Sequence, residues 1–167
     1  MRDDGGDWLG PNAFTAALSQ PYTAFAVAQL APAAVNDNNY HFILDGDDTT
    51  NRLVLLQRAD NTPDAWALNA GVGLVGGNSN GNWNIWTVLA NGVTSQFWHN
   101  GISQVSGNAG AHNADGLTIG SHPTGTLGWI GDISEILIYD PNLSTADMNQ
   151  VAQYIAAKTA IVYTPIV

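Results

Sequence analysis

The run Asp45-Gly46-Asp47-Asp48-Thr49-Thr50-Asn51 gathers three carboxylates and an amide within seven residues. Hard oxygen donors at such density are the ligand type that holds Ca²⁺. An EF-hand is excluded, because Gly46 stands in the second place and Leu56, not a glutamate, in the twelfth. Two readings stay open: a calcium loop built on Asp45, Asp47, Asp48 and Asn51, or a solvated hairpin turn. A second group is Trp98-His99-Asn100 at the end of an expected hairpin. An indole beside two polar side chains suits stacking on a ligand ring, although most strand tryptophans fill a core. Catalytic sets fare worse. Glycoside hydrolysis needs two carboxyl groups about 5 Å apart in its retaining form, yet Glu135 is the only glutamate, and Asp132, three residues away, is expected on the opposite face of a strand. Four histidines and many serines occur without a nucleophile-elbow sequence. His112 and His122 lack zinc-ligand spacing. The side chains point to binding, not catalysis, and no cofactor other than calcium is expected.

These residues need a frame, and the composition describes it. The 167 residues fit one domain with a sizeable core. Thirteen aspartates stand against one glutamate and one lysine, Lys158, with a net charge of −10 and 18 glycines. Asp, Asn and Gly favour turns over helix interiors, so a mostly β chain is expected. So acidic a chain lacks the basic face that nucleic acid or anionic lipid demands, and neither is expected as a partner. There is no cysteine and hence no disulfide framework. The start, Met1-Arg2-Asp3-Asp4-Gly5-Gly6-Asp7, lacks the apolar core of a secretory signal, so neither export signal nor anchor is expected.

Strands are expected at Tyr22 to Leu30, Tyr40 to Leu44, Arg52 to Arg58, Ala65 to Leu68, Trp83 to Ala90, Val93 to His99, Ile102 to Val105, Leu117 to Gly120 and Trp129 to Tyr139. Asn91-Gly92 and Asn100-Gly101 signal tight hairpins. One helix is expected, with Ser144 as N-cap, Asp147 in the capping-box position, Met148, Val151, Ala152 and Ile155 at helical spacing and Lys158 in the last turn. Residues 1–21 read as an N-terminal arm, 22–161 as the domain and 162–167 as a tail. Trp8, Leu9 and Phe14 in the arm are candidates for docking onto a partner or a second copy, the alternative being packing on their own domain.

The segment Trp129-Ile130-Gly131-Asp132-Ile133-Ser134-Glu135-Ile136-Leu137-Ile138-Tyr139-Asp140, with Leu143-Ser144 and the helix through Lys158, resembles the closing strand and helix of the laminin-G-like branch of the concanavalin A-like lectin/glucanase superfamily. Trp86, Asn91-Gly92, Phe97 and Asn100-Gly101 resemble its central hairpins, and Thr23 to Gln29 its opening strand. The resemblance implies an all-β, two-sheet antiparallel jelly-roll sandwich with one C-terminal α-helix. It also implies that calcium at loop tips is worth testing. Because this fold hosts many functions, two readings follow. One is a non-catalytic virion-surface protein, a bacteriophage capsid decoration, cement or tail-surface protein. It would be made in the host cytoplasm, docked on a major capsid or other virion protein through its arm, and oligomeric with its own kind. The alternative is an extracellular carbohydrate-binding module or lectin that takes surface glycans, with Ca²⁺ as a possible requirement.

Overall fold

The computed structural model describes residues 2–4, 6–59 and 63–167. Met1 and Gly5 of the expected arm lie outside the described residues. The described residues form twelve strands and one α-helix: β1 (Arg2–Asp4), β2 (Leu9–Leu18), β3 (Tyr22–Leu30), β4 (His41–Asp45), β5 (Val54–Arg58), β6 (Ala65–Asn69), β7 (Gly73–Asn78), β8 (Trp83–Ala90), β9 (Ser95–His99), β10 (Ile102–Gly107), β11 (Ala114–Ile119), β12 (Ile130–Tyr139) and α1 (Thr145–Thr159). All strand pairs are antiparallel, in two six-stranded sheets ordered β1-β12-β3-β8-β9-β10 and β2-β11-β4-β5-β6-β7. This is the expected all-β sandwich with one C-terminal helix. Among the described residues no helix is long and apolar enough to cross a membrane.

The interior follows from strand alternation. Tyr22, Ala24, Ala26 and Ala28 of β3 meet Ile43, Leu44, Leu55, Trp66 and Leu68 of the second sheet across the gap. Trp66 and Trp86 pack edge to face with centroids 4.3 Å apart, and Trp129 lies 6.3 Å from Trp66. Trp86 and Trp129 thus take the core places expected of them. The opposite face of the first sheet is covered by α1, which lays Met148, Ala152 and Ile155 on Phe25, Val27, Ile85 and Trp98. Ser144 caps the helix, its Oγ accepting from the Asp147 N–H at 3.2 Å. Lys158 meets Glu135 at 3.1 Å.

Three expectations change. The arm is no separate unit: β1 pairs with β12 and β2 with β11, so residues on both sides of position 21 belong to one sandwich. The tail packs on its own domain too. Asn149 receives hydrogen bonds from the Tyr163 hydroxyl (2.7 Å) and the Ile166 N–H (2.8 Å), while the Thr164 N–H reaches the Asn100 carbonyl at 2.9 Å. Asn91-Gly92 leads into a short 3₁₀ turn with Asn91 at φ −152°. Only Asn100-Gly101 has both residues at positive φ, 50° and 83°, as a type I′ hairpin requires. Strands β2 and β7 also escape a reading by pattern. The glycines of β7 have a packing reason: a Cβ on Gly76 would stand 2.6 Å from Val105 Cβ, where β7 meets β10.

Candidate functional site

Among the described residues, no element as large as α1 covers the outer face of the second sheet, and that face carries a cleft. Alternation along β5 sends Leu55 and Gln57 inward, leaving Arg52, Val54, Leu56 and Arg58 on the outer side. Leu56 pairs with Phe42 on one side and Ala67 on the other, and Ala67 pairs with Val75. Phe42, Val54, Leu56 and Ala67 form an apolar floor separate from the interior core. Tyr40, Arg52, Arg58, Asn69 and Gly73 complete a cleft of about 220 Å³. An aromatic rim, an apolar floor and a few polar groups are what a small-ligand site requires.

Each polar group is held in its own way. Arg52 grips Asp45 with two parallel hydrogen bonds, Nε to Oδ1 at 2.7 Å and Nη2 to Oδ2. Asp45 is fully buried and also accepts from the Gly46 N–H at 2.7 Å. Its burial pushes the carboxyl up from the ordinary value, against the pull of Arg52. The Arg58 guanidinium runs over the small residues of β6 and β7: Nη1 lies 2.7 Å from where a Gly73 Cβ would stand. His122, from the loop after β11, packs edge-on against Phe42 at 5.5 Å. Burial holds its imidazole below the ordinary value, Asp45 opposing and Arg52 reinforcing that shift.

Of the expected calcium ligands, the structure brings Asp47 and Asp48 together and separates Asp45, which is taken up by Arg52. In its place stands Asp115 of β11, for which nothing in its own neighbourhood along the chain argues. One oxygen from each of Asp47, Asp48 and Asp115 lies within 4.8 Å of the others. Asn51 donates from Nδ2 to Asp115 Oδ2 at 2.9 Å, clamping the cluster. The donors suit a hard cation in two respects. Asp47 Oδ1 and Asp115 Oδ1 are buried without a hydrogen-bond partner. A Cβ on Gly116 would stand 2.3 Å from Asp47 Cγ, so glycine there makes the space the carboxylate uses. Burial first, then the nearby Asp115 and Asp48, push the Asp47 carboxyl up.

Trp98, His99 and Asn100 do not form a site. Successive strand residues point to opposite faces, and in β9 both faces are covered. Trp98, 5% exposed, lies under α1, and His99, 7% exposed, is inside the sandwich. Asn100 is consumed by its turn, its Oδ1 accepting from the Ile85 N–H at 2.8 Å. In the arm, Trp8 packs on Gly125 and Phe14 on the core, while Leu9 alone is well exposed at 58%. Asp132 and Glu135 also differ from expectation. A bulge between Ile133 and Glu135 pairs Asp132 with Gln29 and Glu135 with Val27, placing both on the α1 side of the sheet. Glu135 is there engaged by Lys158.

Neither a family model nor a curated protein sequence matches the chain. Solved structures do. A protein of Bacteroides ovatus, provisionally described as carbohydrate-binding, superposes with TM-score 0.66 at 15% identity over 87% of this chain and 44% of its own. The binding domain of botulinum neurotoxin serotype D gives 0.63 at 16%, over 90% and 41%. Domain 4 of a GH43 extracellular arabinanase from Geobacillus stearothermophilus, solved with arabinotriose, gives 0.57 at 16%, over 81% and 68%. The chain spans less than half the length of the first two. At such identities the likeness establishes the fold alone, a two-sheet β-sandwich.

Proposed function

We propose that the chain is a non-catalytic carbohydrate-binding domain of the laminin-G-like branch, acting outside the cell, and that it takes saccharide in the cleft on the outer face of the second sheet. The observation that carries this is the cleft itself: Tyr40 and Phe42 beside an apolar floor, with Arg52, Arg58 and Asn69 as hydrogen-bond donors around it. Two structural neighbours, one provisionally described as carbohydrate-binding and one solved with arabinotriose, support the same reading. Two of the three docking candidates of the arm, Trp8 and Phe14, pack within their own sandwich, which favours the carbohydrate reading over docking on a virion. A glycan array tests the proposal. Tyr40→Ala and Asn69→Ala, both partly exposed and away from the interior, are expected to lower binding of any positive glycan about tenfold or more each, with unchanged melting temperature. Binding that survives both substitutions would place the saccharide elsewhere.

Calcium belongs to the proposal. Asp47, Asp48 and Asp115 would hold the ion, which would neutralise their mutual repulsion and fix the β4–β5 loop that also carries Arg52 to the cleft. Ion at a hundred times its dissociation constant stabilises by about 2.7 kcal/mol. A rise in melting temperature with CaCl₂ is therefore expected, and Asp115→Asn should abolish it. Asp47→Asn should abolish it too, yet raise the stability of the calcium-free protein at neutral pH. The sign follows from the raised folded-state pKa: the stability this carboxyl contributes is fully present below its ordinary value of 3.8 and is lost as pH rises through the folded one. Identical melting of all three proteins with and without calcium is the contrary result.

A further inference from the structure

Among the described residues, Trp83 is the one exposed tryptophan, at 37%. It opens β8 on the α1 side of the first sheet, two residues before Ile85, which packs under Ile155 of the helix. The helix stops short of Trp83: α1 ends at Thr159, and Ala160 closes the helical run with a left-handed φ of 57°. Beside the helix end lies a cleft of about 280 Å³ lined by Trp83, Ser134, Lys158 and Thr159. We propose that this cleft is a second saccharide site, taking a neutral sugar whose ring stacks on the Trp83 indole. It lies on the opposite outer face of the sandwich from the cleft of the second sheet, and does not depend on it.

Three features support the assignment. The fold covers Ile85 and Thr87, the next two residues of β8 on this face, completely, yet leaves the largest apolar side chain of the strand in contact with water. A ligand that covers the indole recovers that apolar area. The C–H face of a pyranose does so while its hydroxyl groups reach the rim. Second, the rim supplies partners of differing kind. The bulge between Ile133 and Glu135 leaves Ser134 without a partner on β3 and puts it, exposed, at the cleft. Its hydroxyl can both donate and accept. Thr159 gives its hydroxyl proton to the Ile155 carbonyl at 2.8 Å, which leaves the oxygen as an acceptor. Lys158 has three N–H donors, of which the contact with Glu135 at 3.1 Å takes one. Third, Glu135 balances the charge of Lys158, so the cleft offers hydrogen bonds without a net charge. A charged sugar would meet its own sign in one member of the pair, whereas neutral hydroxyl groups meet none.

The indole N–H signals in a ¹H–¹⁵N correlation spectrum of the intact chain test this directly, that of Trp83 being assigned by its loss in Trp83→Phe. The neutral probes are cellotetraose, xylotetraose, maltotetraose and arabinotriose, and trigalacturonic acid is the charged one. At least one neutral probe is expected to shift the Trp83 signal saturably, in the parent and equally in Tyr40→Ala, while trigalacturonic acid leaves it in place. Trp83→Ala should weaken the binding read at this face about tenfold or more, followed by fluorescence in the Tyr40→Ala background. The parent spectrum needs no alanine variant, so a misfolded Trp83→Ala cannot shelter the proposal. A Trp83 signal that none of the neutral probes moves overturns it, as does one that only the acid moves. If a probe binds but its effect on Trp83 vanishes in a folded Tyr40→Ala, there is one site, on the second sheet. The proposal then falls and the reading above stands. If the Trp83 signal responds while Tyr40→Ala and Asn69→Ala change no binding, the site at Trp83 stands and the cleft of the second sheet falls.

Discussion

Acidification from pH 6.5 to about 3 is expected to remove on the order of 5 kcal/mol of folding stability through one residue, His99. The imidazole lies among Trp86 (4.0 Å between centroids), Trp66 (5.7 Å) and Phe97 (5.8 Å). Its Nε2 is buried without a hydrogen-bond partner. Nothing there replaces the water a cation would lose, and burial pulls the pKa from 6.5 down to about 3. Between these values the unfolded chain holds a proton that the folded chain does not. Stability from this group is therefore complete above pH 6.5 and falls by about 1.4 kcal/mol per pH unit toward pH 3, where both states are protonated. Against a typical total of about 5 to 15 kcal/mol, the loss is large. Asp45 and Asp47, whose carboxyls are pushed up, act in the opposite direction. Urea unfolding at pH 7.5, 6, 5 and 4 reads the slope, and His99→Gln should flatten it even if that variant is less stable at neutral pH. An unchanged slope would assign acid lability to other groups.

The same histidine shows what sequence can and cannot tell. Alternation in Phe97-Trp98-His99 makes adjacent side chains diverge, and this is legible. Which face is covered is not, because the cover of one face is a helix more than forty residues downstream. The helix was legible because its cap, spacing and final lysine are local. β2 was hidden because only Phe14 and Leu18 of its large apolar side chains pack on the core, four residues apart among exposed positions, too sparse a pattern to mark a strand. The acidic loop declared its chemistry but not its membership. Asp45 lies within two residues of Asp47, yet it is Asp115 from another strand that joins the cluster. In the sequence the cleft shows only as two separate strands, Tyr40 to Leu44 and Arg52 to Arg58. Only antiparallel pairing with β6 and β7 turns their outward residues into one surface.

One arginine of that surface, Arg52, should respond strongly to replacement. Arg52→Met is expected to cost about 3 kcal/mol, because it strands a carboxylate that the fold has taken out of water. Asp45 would keep the Gly46 N–H and lose both bonds from the guanidinium. Its pKa, already raised by burial with the arginine present, would rise further. A carboxyl raised in the folded state contributes stability that is present below its unfolded pKa and lost as pH rises through the folded one. The Arg52→Met deficit should accordingly be greatest at neutral pH and shrink on acidification, the reverse of the His99 behaviour. Adding Asp45→Asn removes the stranded charge and should recover a substantial part of the loss at pH 7, which a double-mutant cycle by urea unfolding would report as a coupling energy above 1 kcal/mol. Additive losses would show that the pair holds nothing together. Glycan binding should fall in Arg52→Met as well, through a displaced β4–β5 loop. The compensating Asp45→Asn should restore part of it, because it removes the stranded charge beside that loop.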